Sequence, residues 1–257
     1  MPPGDPAGAP DDVEMPLLAH IVELRNRLLR ALGAILIAIL ILVPQASRIY
    51  ALVAQPLIER LPTGATMIAT EVASTFIAPF KLTAVVAVFL TMPYLLYQAW
   101  AFVAPGLYRH ERRFGMPLLI SSVALFYCGA AFAYYVVFPV VFTFFTAVAP
   151  PGVTVMTDIS HYLDFVLAMF LAFGVVFEIP VAIVLLVRTG IVQPAQLVRS
   201  RPYVIVGAFV VAAVLTPPDV LSQLMMALPM WALYEVGIVL ARIVAPRRAE
   251  LPAADGG

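Results

Sequence analysis

The sequence predicts an all-α membrane protein with six transmembrane helices in an uneven, partly hollow bundle. Of its 257 residues, 63% are hydrophobic and only 12% are charged, and the mean hydropathy is +0.99. A soluble domain is about one half apolar and one quarter charged, so the composition excludes a water-soluble globule. The 15 basic and 15 acidic residues balance, which leaves no basic excess for binding nucleic acid.

Charged side chains mark the limits of the spans, because a charge in the hydrocarbon core costs several kcal/mol. A span needs roughly 20 residues, and uncharged stretches of about this length recur along the chain. The third span is expected to bend near Pro139, and the last two are expected to be short. The predicted spans are residues 28–46, 82–104, 115–141, 161–187, 202–216 and 220–241.

The remaining segments are predicted to flank or connect these spans. Residues 1–14, rich in Pro, Gly, Ala and Asp, are expected to be a disordered tail and not a signal peptide. The transmembrane domain covers 15–245, and a cytoplasmic tail covers 246–257. A long outward loop is expected from Pro44 to Phe80, with residues 49–61 forming an amphipathic helix at the outer surface.

The basic residues predict the orientation of the spans in the membrane. Basic residues concentrate on the cytoplasmic side of membrane proteins, so the side that carries most of them is assigned to the cytoplasm, together with both termini. Of the 15 basic residues, only Arg48, Arg60 and Lys81 fall on the other side. The remainder fall on the cytoplasmic side: Arg25, Arg27, Arg30, Arg109, Arg112, Arg113, Arg188, Arg199, Arg201, Arg242, Arg247 and Arg248.

Signatures of enzymes and metal sites are missing from the sequence. It contains no H-E-x-x-H, G-x-S-x-G, P-loop or G-x-G-x-x-G motif, so we predict no enzyme and no cofactor. Cys128 is the only cysteine, which excludes a disulfide framework. His161 and Asp164 follow Asp158 at spacings that could suggest a metal site. We interpret this segment instead as a helix cap, with Asp158 or Ser160 as the N-cap, and predict no metal site.

Two acidic residues at span ends are candidate binding groups. Glu23 precedes the first span, and its structural alternative is an intrahelical pair with Arg27. Glu111 lies among three arginines between the second and third spans, and its alternative is a surface ion pair. Together, two carboxylates on the same membrane face could hold a pair of guanidinium groups bidentately.

Polar residues inside the spans are candidates of a second kind. Glu178 lies near mid-bilayer, where a carboxylate is a functional hypothesis by default; its alternative is a protonated or hydrogen-bonded packing residue. Gln223 could form an interhelical hydrogen bond. Glu235 lies closer to the cytoplasmic end and is less informative. Aromatic residues near the inner interface are interpreted mainly as an aromatic belt: Tyr94, Tyr97, Trp100, Phe102 and Tyr108.

Six segments, in order, resemble the TatC family, the polytopic receptor subunits of the twin-arginine protein translocation system. The resemblance covers about residues 15–245. Its segments are 20–28 (HIVELRNRL), 67–74 (MIATEVAS), 100–113 (WAFVAPGLYRHERR), 173–182 (FGVVFEIPVA), 201–207 (RPYVIVG) and 215–223 (LTPPDVLSQ).

This resemblance implies a multi-pass protein of the bacterial cytoplasmic membrane, with its six helices in a concave, cup-like bundle. Such a protein recognises folded cargo proteins through an S/T-R-R-x-F-L-K type signal peptide. It works with single-span TatB and TatA subunits under a proton-motive force, self-associates in a larger complex and needs no cofactor. The resemblance also implies that such a protein contacts membrane lipid and does not bind nucleic acid.

The resemblance also implies roles for individual residues. Signal-peptide binding is assigned to Glu23, Glu111, Arg25, Arg27 and Phe102. Intramembrane polar contacts and docking of partner helices are assigned to Glu178 and Gln223, and the periplasmic cap and assembly to Pro56 and Asp219.

Two other classes of protein could have a sequence of this kind: a transporter and an intramembrane hydrolase. A proton-coupled small-solute transporter could use Glu178 as its relay, but this reading leaves Glu23 and Glu111 unexplained. An intramembrane hydrolase would need a nucleophile and a base at matching depth, and the sequence offers no such pair.

Overall fold

The computed structural model describes residues 11–58, 66–69, 71–103, 112–148, 156–216 and 220–244. The regular secondary structure of this part of the chain is helical apart from two three-residue strands, which confirms the predicted all-α fold. Five helical stretches are long and apolar enough to cross a membrane, and one further apolar helix, Arg201–Leu215, is shorter. The five are His20–Leu52, Ala73–Phe102, Gly115–Phe144, Ile159–Arg188 and Val220–Val244.

The first helices pack against one long neighbour. Helix α1 (Asp11–Leu42) is followed by a 3₁₀ turn (Val43–Gln45) and by α2 (Ala46–Ile58). Pro44 lies in the 3₁₀ turn and lacks the N–H that a continuous α-helix would use. Both α1 and α2 pack against α3 (Val72–Val103). The helix expected at 49–61 therefore begins earlier, at Ala46, and continues the first apolar stretch.

The start of α3 corrects the predicted outward loop. A loop was expected as far as Phe80 because Lys81 was taken as the limit of the second span, yet α3 already begins at Val72. The Lys81 ammonium binds both carboxylate oxygens of Asp164, with Nζ 2.8 Å from Oδ1 and 2.9 Å from Oδ2. A paired lysine does not have to end a helix, so α3 continues through it.

The third predicted span is interrupted by a π-helical turn. Helix α4 (Arg112–Phe132) passes through this turn (Ala133–Val137) into α5 (Phe138–Val148). The N–H of Phe138 reaches back five residues to the carbonyl of Ala133. Pro139, where the sequence predicts a bend, follows directly. Because a proline ring clashes with the carbonyl four residues earlier, the wider π turn accommodates it.

Two short strands join segments that the sequence treats as loops. Strand β1 (Thr66–Ile68) pairs in parallel with β2 (Met156–Asp158), with Thr66 opposite Met156. Asp158 then caps the following helix, because its carboxylate accepts hydrogen bonds from the backbone N–H groups of Ser160, at 2.8 Å, and His161, at 3.2 Å. The interpretation of Asp158 as an N-cap is confirmed.

The stretch predicted as a single span at 161–187 consists of two helices. Helix α6 (Ile159–Val176) and α7 (Ile179–Arg188) are separated at Phe177 and Glu178. Pro180 lies in the first turn of α7, where its missing N–H is tolerated; inside a continuous helix it would remove a hydrogen bond. The break therefore falls at the acidic residue that the sequence places near mid-bilayer.

The last helices differ in length. Helix α8 (Pro194–Arg199) leads into α9 (Arg201–Leu215), which has 15 residues and is short as predicted. Helix α10 (Val220–Val244) has 25 residues, so the expectation that it is short is wrong. Glu235 was taken to end its apolar stretch, but its Oε2 lies 2.6 Å from Nη2 of Arg201. The ion pair holds α9 against α10 and lets α10 continue.

The packed core lies among α3, the π turn, α5, α6, α9 and α10, and includes the fully buried Phe173 and Met226. Helix α1 packs mainly against α3 and leaves large apolar side chains exposed; Leu40, for example, is 73% exposed. Apolar side chains on the outer surface are stable in lipid but not in water. The fold is therefore that of a multi-pass membrane protein.

Candidate functional site

Glu23 forms the intrahelical ion pair with Arg27 that the sequence offers as the alternative to a binding role. Its Oε1 accepts from Arg27 twice, from Nε at 2.9 Å and from Nη2 at 2.6 Å. Within the described part of the chain, its Oε2 accepts no hydrogen bond. The Glu23 side chain is 39% exposed and that of Arg27 is 22% exposed. The carboxylate thus has one oxygen engaged and one available.

Gln98 of α3 extends this network and was not singled out from the sequence. It is only 6% exposed. Its Oε1 accepts from Nη1 of Arg27 at 3.3 Å, and its Nε2 donates to the hydroxyl of Tyr94 at 2.7 Å. The side chains of Glu23, Arg27, Gln98 and Tyr94 therefore form one polar network between α1 and α3.

An apolar cavity of about 250 Å³ adjoins this network. Phe102 lies at its wall and stacks on His20, with ring centroids 4.4 Å apart and planes 17° from parallel. Arg27 and Gln98 contribute the polar part of the lining. The other lining residues are Leu24, Leu28, Ala31, Leu95 and Ala99. Charge and apolar surface thus meet at one place between α1 and α3.

Arg25 points away from this network. Its side chain is exposed, and Nη2 lies 3.5 Å from the side-chain oxygen of Asn26. Among the described residues it enters no ion pair. The structure therefore brings Glu23, Arg27 and Phe102 together and leaves Arg25 on the outside of the helix.

Several candidate residues lie beyond what the structure describes. Glu111 and Asp219 lie outside the described residues, and Pro56 lies in α2, where only the backbone is described. Gln223 is in the first turn of α10 and is partly buried. It has no hydrogen-bond partner within the described ranges.

Glu178 lies at the break between α6 and α7 and is held by a chain of hydrogen bonds. Ser122 of α4 donates its hydroxyl proton to Oε2 of Glu178. The indole Nε1 of Trp100 in turn donates to the Ser122 oxygen at 2.9 Å. Trp100, which the sequence places in an aromatic belt, is therefore also part of a buried polar network. Oε1 of Glu178 is buried without a hydrogen-bond partner among the described residues.

A second cavity, of about 340 Å³, opens beside Glu178. Its walls are apolar, so the carboxylate is the polar group that faces it. The cavity is lined by Leu96, Ala99, Trp100, Glu178, Ala182, Leu185 and Leu186. Ala99 borders both cavities, so only α3 separates the Glu23 network from the Glu178 network.

Comparison with protein families gives one match that covers most of the chain. Residues 19–229 match the family model of the Sec-independent protein translocase protein (TatC). The chain belongs to the TatC family. It is thus a Sec-independent protein translocase subunit and a multi-pass membrane protein.

Curated TatC proteins and solved TatC structures agree with this assignment. The chain is 60% identical over 247 residues to TatC of Azotobacter chroococcum, covering 96% of each chain. It is 57% identical over 227 residues to TatC of Escherichia coli K12, covering 88% of each. A crystal structure of the twin arginine translocase receptor TatC superposes with a TM-score of 0.79 at 35% identity, covering 88% of this chain and 99% of that one.

The TatC assignment decides between the function classes raised by the sequence. It confirms the translocase reading and gives no support to the small-solute transporter. Membership of the TatC family implies a Tat complex with other subunits.

Proposed function

We propose that this TatC protein is the receptor subunit that binds twin-arginine signal peptides at the cytoplasmic face of the bacterial cytoplasmic membrane. With TatB and TatA partners it forms the core for export of folded proteins, driven by the proton-motive force. The observation that carries this proposal is the half-exposed Glu23 carboxylate, which has one oxygen available and whose partner Arg27 lines an apolar cavity.

The chemistry of Glu23 suits an incoming guanidinium group. Arginine offers a planar fork of N–H donors that matches a carboxylate, whereas lysine offers a single point charge. Arg27 already binds Oε1, so an arginine of the signal peptide either adds to Oε2 or replaces Arg27. The second outcome costs little in ion-pair energy, because an i,i+4 pair on a helix is worth only about 0.3–0.5 kcal/mol.

The adjoining cavity suits the apolar residues that follow the twin arginines. Leu24, Leu28 and Leu95 line it together with Phe102, whose ring stacks on His20. We assign Phe102 to contact with the signal peptide and Arg25 to the exposed rim of the site. Glu111, which directly precedes α4 in the sequence, supplies the second carboxylate of the proposal.

The other candidate residues receive roles within the same proposal. Glu178 and Gln223 are the polar groups near which partner helices dock, and the unpartnered Oε1 of Glu178 supports the first of these. Pro56 and Asp219 belong to the periplasmic cap and to assembly. Both termini lie in the cytoplasm, as the distribution of arginines indicates, and no catalytic step is assigned to any residue.

Capture of synthetic signal peptides tests the proposal. The full-length protein in nanodiscs is mixed with a peptide containing Arg-Arg or with the same peptide containing Lys-Lys, and bound peptide is quantified after crosslinking. We expect selective capture of the Arg-Arg peptide, and loss of this selectivity in Glu23→Gln, which keeps the shape of the side chain but removes its charge.

A matched control separates recognition from general loss of an ion pair. Glu235→Gln also removes a partly exposed glutamate that is ion-paired at 2.6 Å, but at the α9–α10 contact. This variant should capture the Arg-Arg peptide as the wild type does. Equal capture of both peptides by the wild type, or equal loss in both glutamine variants, would refute the proposal.

A further inference from the structure

The C-terminal segment of α3, residues 94–103, lies between the two polar networks. On one side, Gln98 is hydrogen-bonded to Arg27, the partner of Glu23. On the other side, Trp100 is hydrogen-bonded to Ser122, the partner of Glu178. The two contact points are only two residues apart, although they belong to sites on opposite faces of the helix.

The helical geometry makes these two contacts interdependent. With 3.6 residues per turn, positions 98 and 100 point about 200° apart around the axis. A rotation or shift of the segment that changes the Gln98 contact must therefore also displace the Trp100 indole. Ala99, between them, borders both cavities, so there is open space on each side for a small movement.

Neither contact tolerates much movement. Gln98 is 6% exposed and its amide is held at both ends, by Arg27 and by Tyr94. Ser122 is fully buried, and its oxygen accepts from Trp100 while its single hydroxyl proton is donated to Glu178. Because the indole N–H can only donate and serine has only one hydrogen to donate, the Ser122 hydroxyl proton is directed to the Glu178 carboxylate.

The segment begins at a natural hinge. Pro93 lies inside α3 and has no N–H to donate to the carbonyl of Phe89. That carbonyl instead accepts from the hydroxyl of Tyr127 on α4, at 2.8 Å. One rung of the helix is thus replaced by a contact from outside, and prolines are where helices bend.

We propose that residues 94–103 of α3 couple occupation of Glu23 to the hydrogen bonding of Glu178, with Gln98 and Trp100 as the positioning residues. This proposal rests on the proposed function. When a guanidinium group of the signal peptide takes Glu23, Arg27 changes its contact with Gln98. The segment then moves at Pro93, the Trp100 indole shifts from the Ser122 oxygen, and the hydrogen bond from Ser122 to Glu178 changes its geometry.

Tryptophan fluorescence measures this movement directly. The chain has two tryptophans, so Trp231→Phe leaves Trp100 as the only one. Trp231 is 41% exposed and belongs to neither network. The full-length variant in phospholipid nanodiscs is titrated with a tryptophan-free Arg-Arg signal peptide while Trp100 emission is recorded. Binding is measured in parallel by the anisotropy of a dye-labelled copy of the peptide.

We expect the emission of Trp100 to change and to saturate over the same concentrations as binding. In Gln98→Met, which removes the contact with Arg27, the emission change per bound peptide, read at saturation, should fall at least fivefold. Gln98→Glu keeps an oxygen acceptor for Arg27 and should retain the response. Pro93→Ala restores the backbone hydrogen bond, favours the helix and should weaken the response as Gln98→Met does.

The possible outcomes separate this inference from the proposed function. If anisotropy shows no binding of the Arg-Arg peptide, the proposed function itself fails. Binding without a change in Trp100 emission would overturn the coupling alone. An undiminished response in both Gln98→Met and Pro93→Ala would also overturn it, because the peptide would then be affecting Trp100 by direct contact.

Discussion

Replacing Gly129 with alanine should destabilise the protein by separating α4 from α6. A Cβ built at Gly129 would lie 2.8 Å from the carbonyl carbon of Phe173 and 3.0 Å from Cγ of Phe177, and would also strike the carbonyl oxygen of Phe173. Ordinary contacts begin at 3.4 Å, so the helices must move apart by at least about 0.6 Å. The obstructing atoms are mostly backbone and cannot rotate away.

The expected cost is that of overpacking a core, about 1–3 kcal/mol, and the rigid backbone places it toward the upper end. The assay is reversible unfolding of the purified protein in mixed micelles, followed by circular dichroism. Gly207→Ala is the matched control, because a Cβ at Gly207 would meet nothing within 4 Å. It should raise the free energy of unfolding by about 0.5–1 kcal/mol, the advantage of alanine over glycine inside a helix. Equal stability of the two variants would show that the close approach of α4 to α6 is not as described.

Three further predictions concern individual hydrogen bonds. Tyr127→Phe should cost about 1 kcal/mol of stability, because it leaves the Phe89 carbonyl unpaired. In a Pro93→Ala background the same change should cost nothing, because the backbone N–H of Ala at position 93 restores the bond. An equal cost in both backgrounds, measured by unfolding, would disprove this role. Asp158→Ala should cost about 0.5–2 kcal/mol through loss of the α6 cap, while Asp158→Asn retains most of it, and similar losses in both would exclude capping. Glu178→Gln keeps an acceptor for Ser122 but cannot ionise, so export in cells should fall while peptide binding in nanodiscs is retained; unchanged export would remove Glu178 from the mechanism.

Much of the fold follows from local features of the sequence. Long apolar stretches predict the helices, Pro139 marks the place where a π turn interrupts the third stretch, and Asp158 predicts its own cap. Each of these depends on residues that are neighbours in the sequence, so it can be predicted without knowing the tertiary structure.

Features that depend on distant partners were not predicted. Lys81 and Asp164 are 83 positions apart, and only their pairing explains why α3 continues through a charge. Arg201 likewise lets α10 continue past Glu235. The charge of Lys81 was therefore taken as the limit of the second span, and the charge of Glu235 as the limit of the apolar stretch that predicted a short last helix.

The candidate site, too, could be predicted only where it does not depend on partners that are distant in the sequence. Glu23, Arg27 and Glu178 are recognisable because charged residues near or within spans are unusual. Gln98 and Ser122 carry no charge, and their importance comes from being buried at 6% and 0% exposure with partners on other helices. A buried polar residue must find a hydrogen-bond partner, but the sequence alone does not say which residues are buried.

The most direct test of twin-arginine recognition is a thermodynamic cycle on the affinity of the full-length protein for its signal peptide. Dissociation constants are measured in nanodiscs for Arg-Arg and Lys-Lys peptides with the wild type and with Glu23→Gln. We predict that the wild type prefers Arg-Arg by at least about tenfold, equivalent to about 1.4 kcal/mol, and that Glu23→Gln loses most of this preference. The same preference in both proteins would contradict the assignment of Glu23 as a receptor for the arginine pair.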